Sequence, residues 1–292
     1  MLHRVMPEQP TAFGRTSCYR LRGTALTPQE LDRLLDKGPI RTLDDVVAAL
    51  RVREAPPSGN VLTFDDGYRE WVDLVGPALA RRGVVATFFV SRAFEAAAPA
   101  LHPVDAFYWL LDHACRERFE LRLPDGSVEQ GSLETDEEKT ALVTGRLKSL
   151  VVTSSPEVVD GLLVMLADAV DAQLPHGLAR SLYPSVEGLC SLAASGHVLG
   201  GHGVTHRHLT SLSTSEAIAE VEASLDWAKR LSKATEVPFA YPDGAADEQL
   251  ARAVGAAGAT AGLTCTSGRV RPDTNLFLLP REFVSPGHPW VR

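Results

Sequence analysis

The feature that most constrains the fold is an alternation of short apolar runs with amphipathic helical stretches. Val61–Phe64 is an apolar, β-branched run ending in Asp65-Asp66-Gly67, the pattern of a buried strand entering a turn. Leu74, Val75, Ala78 and Leu79 follow at helical spacing, interrupted at Pro77 and closed by Gly83 as a C-terminal cap. Val84–Val90 is then continuous enough for a strand covered on both faces. The alternation returns with a helix over Val186–Ala194 and a short strand over Gly196–Gly200. Ser213 and Glu216 form a capping box, after which Ala217, Ile218, Val221, Leu225, Ala228 and Leu231 mark one apolar helix face. Pro238–Tyr241 reads as a strand meeting a Pro-Asp-Gly turn. An Ala-rich helix follows from about Ala246, with strand candidates near Thr260 and Leu276. Repeated strand–helix units predict an α/β fold with a parallel sheet or barrel.

Between Phe94 and roughly Pro175 this rhythm breaks. The segment holds a helical stretch with Phe107, Trp109, Leu110 and Leu111, a hairpin around Pro124-Asp125-Gly126, and two further helical stretches. It reads as a mainly helical insertion, 95–175, in a barrel formed by 1–94 and 176–292. Such an insertion serves either as a packing appendage or as a cap over a site, because loops on α/β scaffolds carry specificity. With 292 residues, 45% of them hydrophobic, the chain supports a substantial core. Thirty-seven acidic residues against 29 basic ones give a net charge of -8, and no dense Lys/Arg run is present, which argues against a nucleic-acid partner. Cys18, Cys115, Cys190 and Cys265 are widely separated, form no Cys-x-x-Cys pair and read as buried thiols. With no signal-like N-terminal stretch and no apolar run of bilayer-spanning length, the expectation is a cytoplasmic protein.

Asp65 and Asp66 sit where a strand gives way to a loop, where α/β enzymes place catalytic groups. Adjacent carboxylates there suit a divalent cation: one ligates it while its neighbour accepts a proton from water. The plainer reading is a turn in which Gly67 supplies a positive φ. His202 and His206 form a His-x-x-x-His pair among Gly200, Gly201 and Gly203, a spacing that lets two imidazoles converge on one ion. Position 203 is not Glu, so the helical zinc-protease pattern is absent. His208, two residues on, reads as outside the ligand set or exposed. No Gly-x-Ser-x-Gly occurs and no cysteine lies in a nucleophile motif, which argues against a serine or cysteine hydrolase.

Thr63-Phe-Asp-Asp-Gly67, Ala86-Thr-Phe-Phe-Val90, Gly196 to His206 with Leu209, and Phe239-Ala-Tyr-Pro-Asp-Gly244, in that order, resemble the polysaccharide deacetylases of the NodB-homology type, carbohydrate esterase family four. The resemblance covers the chain outside the insertion. It implies a distorted (β/α)7-type barrel and a metal-dependent amide hydrolase removing an N-acetyl group from an amino sugar or glycan. Residue by residue, it implies Asp65 as general base and Asp66, His202 and His206 as ligands of one divalent metal ion. Zinc is the first expectation, with cobalt, nickel or another divalent ion also found in the family. The Asp243 N–H, after Pro242, would stabilise the oxyanion.

The sequence departs from the family pattern in two places. Asp243 stands where an aromatic residue is frequent, and Ala240 where an Arg often orients the base; Arg281 is the candidate replacement for that cation. The late Leu-x-x-His motif that usually carries the general acid is missing. Leu2-His3-Arg4-Val5 instead resembles the early Tyr-His-x-Val segment of poly-N-acetylglucosamine deacetylases, whose motif order is permuted, which makes His3 the acid candidate and His288 the fallback. Rival expectations are a deformylase, a deacylase of a lipid-linked sugar or small biosynthetic intermediate, and a catalytically silent carbohydrate-binding homologue.

Overall fold

The computed structural model describes residues 1–8, 11–91, 100–123 and 125–292. Its centre is a five-stranded parallel sheet in the order Ala259–Leu263, Val237–Ala240, Val198–Gly201, Thr87–Val90 and Thr63–Phe64. Phe64, Phe88, Phe89 and Val90 are wholly buried, as expected for parallel strands covered on both faces. Gly200 is required for close approach: a Cβ there would lie 2.5 Å from the Phe89 ring and 2.7 Å from the Pro238 carbonyl.

Chain segments outside the five strands close the wall. The Leu2 N–H donates to the Thr63 carbonyl and the Asp65 N–H to that of Leu2, both at 2.9 Å. On the opposite edge Leu279 bridges Leu263, and the Val284 N–H donates to the Met1 carbonyl at 3.1 Å. Five strands and these two edge segments make seven staves of a distorted (β/α)7 barrel.

Several elements differ from the sequence reading. The run Val61–Phe64 is not one strand: Asn60–Val61 pairs with Ile40–Arg41, and Thr63–Phe64 with Thr87–Phe88. The strand expected from Val84 starts at Thr87, because the Val84 N–H returns to the Leu79 carbonyl to close the preceding helix and Gly83 takes φ 61°. That helix begins as a wider π turn, Trp71–Val75, with the Gly76 N–H bonded to the Trp71 carbonyl just ahead of Pro77. Leu276 starts no strand, since the Asn275 side chain accepts from the Phe277 N–H and folds the segment into a turn.

From residue 100 onward the chain forms a helix, Pro103–Asp112, and an antiparallel hairpin, Arg118–Arg122 with Val128–Ser132. Three helices follow rather than two: Asp136–Thr144, Arg146–Thr153 and Pro156–Val170. The boundary expected at 95 and Pro124 of the hairpin turn lie outside the described residues. Phe107, Leu110, Leu147 and Leu166 belong to the same apolar cluster as Leu2, Phe64 and Trp71, so this segment shares the barrel's core. The expectation of four buried thiols holds for Cys18 alone; Cys115 is exposed in the loop after Pro103–Asp112, and Cys190 and Cys265 are half-buried. Among the described residues no helix is long and apolar enough to cross a membrane.

Candidate active site

Asp65 and Asp66 leave the sheet at the end of Thr63–Phe64, where Asp66 takes φ 85° and Gly67 φ 102°. His202 follows Val198–Gly201 and is 1% exposed. Its Nδ1 lies 2.8 Å from the Ala240 carbonyl, which can only accept, so Nδ1 carries the proton and the Nε2 lone pair faces Asp66 Oδ1 at 3.4 Å. His206, at φ 57°, brings its Nε2 to 3.1 Å from the same oxygen. The ligand atoms of Asp66, His202 and His206 lie within 4.8 Å of one another. One anionic oxygen and two convergent imidazoles, one with its tautomer fixed from behind, are a donor set that fits a divalent cation with open positions. Burial works against a charge on Asp66, but His3, His202 and His206 outweigh it and hold the carboxyl well below its ordinary range.

Asp65, 2% exposed, is ion-paired to Arg281. Arg281 Nη1 donates to Oδ1 and Nη2 to Oδ2, both at 2.7 Å, while Nε donates to the Thr264 carbonyl at 2.8 Å. Burial raises the Asp65 pKa, and the guanidinium more than reverses this, so the net shift is downward. Arg281 thus pairs with both oxygens of Asp65, whereas Ala240 contributes the carbonyl that accepts the His202 Nδ1–H.

His3 is brought beside Asp66, with its Nε2 4.0 Å from Oδ2. The indole N–H of Trp71 donates to its carbonyl at 2.8 Å, and its ring packs edge-on to Phe283. His3 Nδ1 is buried with no hydrogen-bond partner among the described residues, and burial lowers the pKa of the ring. Asp243 sits at φ 50° in the turn after Val237–Ala240, and its carboxylate takes His208 Nε2 at 2.7 Å. The neighbouring Gly244 and Ala245 N–H groups are bonded within the turn, whereas no chain acceptor takes the Asp243 N–H among the described residues. His288 lies 4.0 Å from Glu282 and packs edge-on to Trp290, lining a separate cavity of about 800 Å³.

Two groups near the site escaped the sequence reading. Glu220 clamps the loop between His202 and His206, accepting from the Val204 N–H at 2.6 Å, the Thr205 N–H at 3.0 Å and the Thr205 hydroxyl at 2.8 Å. Its signal was a carboxylate beside the apolar face of the capped helix. The other group is His102, whose ring meets His206 edge-on at 4.8 Å. A single His before Pro103 gives no sequence signal.

The sequence model of the family described as polysaccharide deacetylase matches residues 53–102 and 173–262, the segments that carry Asp65, Asp66, His202, His206 and Asp243. The chain belongs to the polysaccharide deacetylase family. Members of this family are metal-dependent amide hydrolases acting on N-acetyl groups of sugar polymers, and the protein is an enzyme of that class. Among solved structures it is similar to the deacetylase PplD of Streptococcus pyogenes in complex with acetate, with 16% identity and a TM-score of 0.58 over 98% of this chain and 91% of that one. IcaB from Ammonifex degensii is 15% identical, with a TM-score of 0.54 over 99% and 93% of the two chains. The deacetylase domain of BpsB from Bordetella bronchiseptica is 17% identical, with a TM-score of 0.52 over 97% and 95%. At these identities the likeness establishes the shared barrel fold. No curated protein sequence matches the chain.

Proposed function

We propose that this deacetylase acts on N-acetylglucosamine units of a glycan, with Asp66, His202 and His206 holding zinc and Asp65 serving as general base. The observation that carries this reading is the division of labour between adjacent carboxylates: Asp66 converges with two imidazoles, while Asp65 is ion-paired to Arg281. A divalent cation bound by the three ligands would acidify water and polarise the acyl carbonyl. Asp65 takes the proton of the attacking water, and Arg281 fixes the orientation of its carboxylate. The Asp243 N–H donates to the developing oxyanion. His3 gives a proton to the departing amine; its lowered pKa makes it a stronger acid while reducing the protonated fraction. The segment 95–175 serves as a cap contributing to substrate selection, and the cytoplasm is the proposed compartment.

The test combines metal analysis with acetate release from N-acetylglucosamine oligomers and from monomeric acetamido sugars. Asp66→Ala and His202→Ala are expected to lose metal and activity together. Asp65→Asn should keep metal and lose about 10²–10⁴ in kcat; full activity in that variant removes the base assignment. Formate release in place of acetate would favour the deformylase alternative. Oligomer binding without product across a range of metals would favour a silent binding protein, a reading against which the intact Asp65–Arg281 pair argues.

A further inference from the structure

His102 lies at the start of the helix Pro103–Asp112 and is bound into the protein at two points. Its Nδ1 accepts the Val104 N–H at 3.3 Å, and its own backbone N–H donates to the Tyr183 hydroxyl at 2.9 Å. Tyr183 is itself anchored on Asp105, a carboxylate 1% exposed that also accepts the hydroxyls of Tyr19 at 2.7 Å and Tyr68 at 3.0 Å. Three phenols from separate chain segments thus hold the base of this helix, and with it the imidazole, at one place.

A ring nitrogen that accepts a backbone N–H carries no proton, so the imidazole is the neutral tautomer with its proton on Nε2. No acceptor takes that N–H among the described residues, and His102 is half-buried rather than fully enclosed. The ring stands edge-on to His206 at 4.8 Å, and the carboxylates of Asp66 and Asp243 act on it through space. A rigid, neutral donor with no partner among the described residues, beside the proposed metal ligands, is suited to an uncharged acceptor oxygen of the substrate.

We propose that His102 is a substrate-binding residue whose Nε2–H donates to a hydroxyl or carbonyl oxygen of the sugar unit being deacylated. The proposal rests on the deacetylase reading. Its test is binding of N-acetylglucosamine oligomers to metal-loaded Asp65→Asn protein, with and without His102→Phe, alongside steady-state acetate release by the otherwise unaltered chain. Phe keeps a ring against His206 and removes the donor. It should weaken oligomer binding and raise KM about tenfold, the loss of one hydrogen bond, with metal content unchanged and kcat within about twofold. His102→Gln, which restores an N–H donor, should recover most of the affinity. Equal oligomer affinity with and without His102→Phe overturns the proposal. So does loss of metal in both His102 variants, which would make His102 a support for His206. Absence of acetate release from the unaltered chain strikes the deacetylase reading instead, and the binding comparison still decides the role of His102.

Discussion

Arg281→Met tests the electrostatic logic of the site most directly. The substitution strips two 2.7 Å partners from a carboxylate that is 2% exposed and frees the Thr264 carbonyl from the guanidinium. Removing one member of a buried pair leaves an uncompensated charge and costs about 3–5 kcal/mol. Adding Asp65→Asn removes that charge, so the double variant should lose less than the sum of the two single losses, by about 1–3 kcal/mol. The sign of the pH effect follows from the opposing causes at Asp65, where burial raises the pKa and Arg281 lowers it to a net depression. A depressed folded pKa contributes stability that is present above the unfolded value of about 3.9 and lost as pH falls through the folded one. In Arg281→Met the largest group opposing burial is gone and only His202 and His3 still favour the carboxylate, so the folded pKa rises from its value in the unaltered protein. The variant is then penalised at neutral pH, and the penalty fades as pH falls through the raised value. The acid limb of kcat/KM should likewise move to higher pH. Urea unfolding of the metal-loaded single and double variants at pH 7 and pH 5 measures the coupling. Additive losses below about 1 kcal/mol that do not change with pH would refute the claim that Arg281 sets the charge state of Asp65.

Three further outcomes follow from the geometry. Glu220→Ala releases the loop carrying Val204 and Thr205 and should weaken metal binding about 10–100-fold with far-UV circular dichroism unchanged, as read by competition with a chelator. Gly200→Ala drives a Cβ into the Phe89 ring and the Pro238 carbonyl, and a thermal melt should show a loss of about 1–3 kcal/mol. Ser213→Ala breaks the capping box with Glu216 and should cost about 1 kcal/mol of stability while leaving acetate release unchanged.

The barrel's strands and the long capped helix were legible because buried parallel strands are continuous apolar runs and a capping box has a fixed spacing. The first 60 residues were not. Their strands, Arg4–Val5, Ala25–Leu26 and Ile40–Arg41, are two residues long, too short to show a period, although their helices carry capping boxes at Thr27/Glu30 and Thr42/Asp45. The metal-ligand candidates could be read because two local motifs hold all three. Arg281 could be named only as a candidate, since 216 residues separate it from Asp65 and only closure of the Leu279–Val284 segment onto the N-terminal stave brings its side chain to Asp65. The tyrosines on Asp105 are invisible for the same reason: Tyr19, Tyr68 and Tyr183 belong to three distant segments, and each alone reads as core.

Asp65 and Asp66 show how the fold separates two groups that the sequence leaves equivalent. Neighbouring residues of an extended chain point to opposite faces, and the left-handed φ of 85° at Asp66 bends the chain as it leaves the sheet. Such a conformation costs about 1–2 kcal/mol for an L-residue and is best tolerated by Asp and Asn. Asp65 is left facing the buried guanidinium, whereas Asp66 is turned toward two imidazoles that approach the same oxygen. Both carboxyls are held below their ordinary range, yet for different reasons, one by a fixed cation and the other by groups able to share a metal. An exchange of the pair's roles would therefore require exchanging both sets of partners. For that reason Asp66→Asn should weaken metal binding and Asp65→Asn should spare it, although the two substitutions are chemically identical and one residue apart.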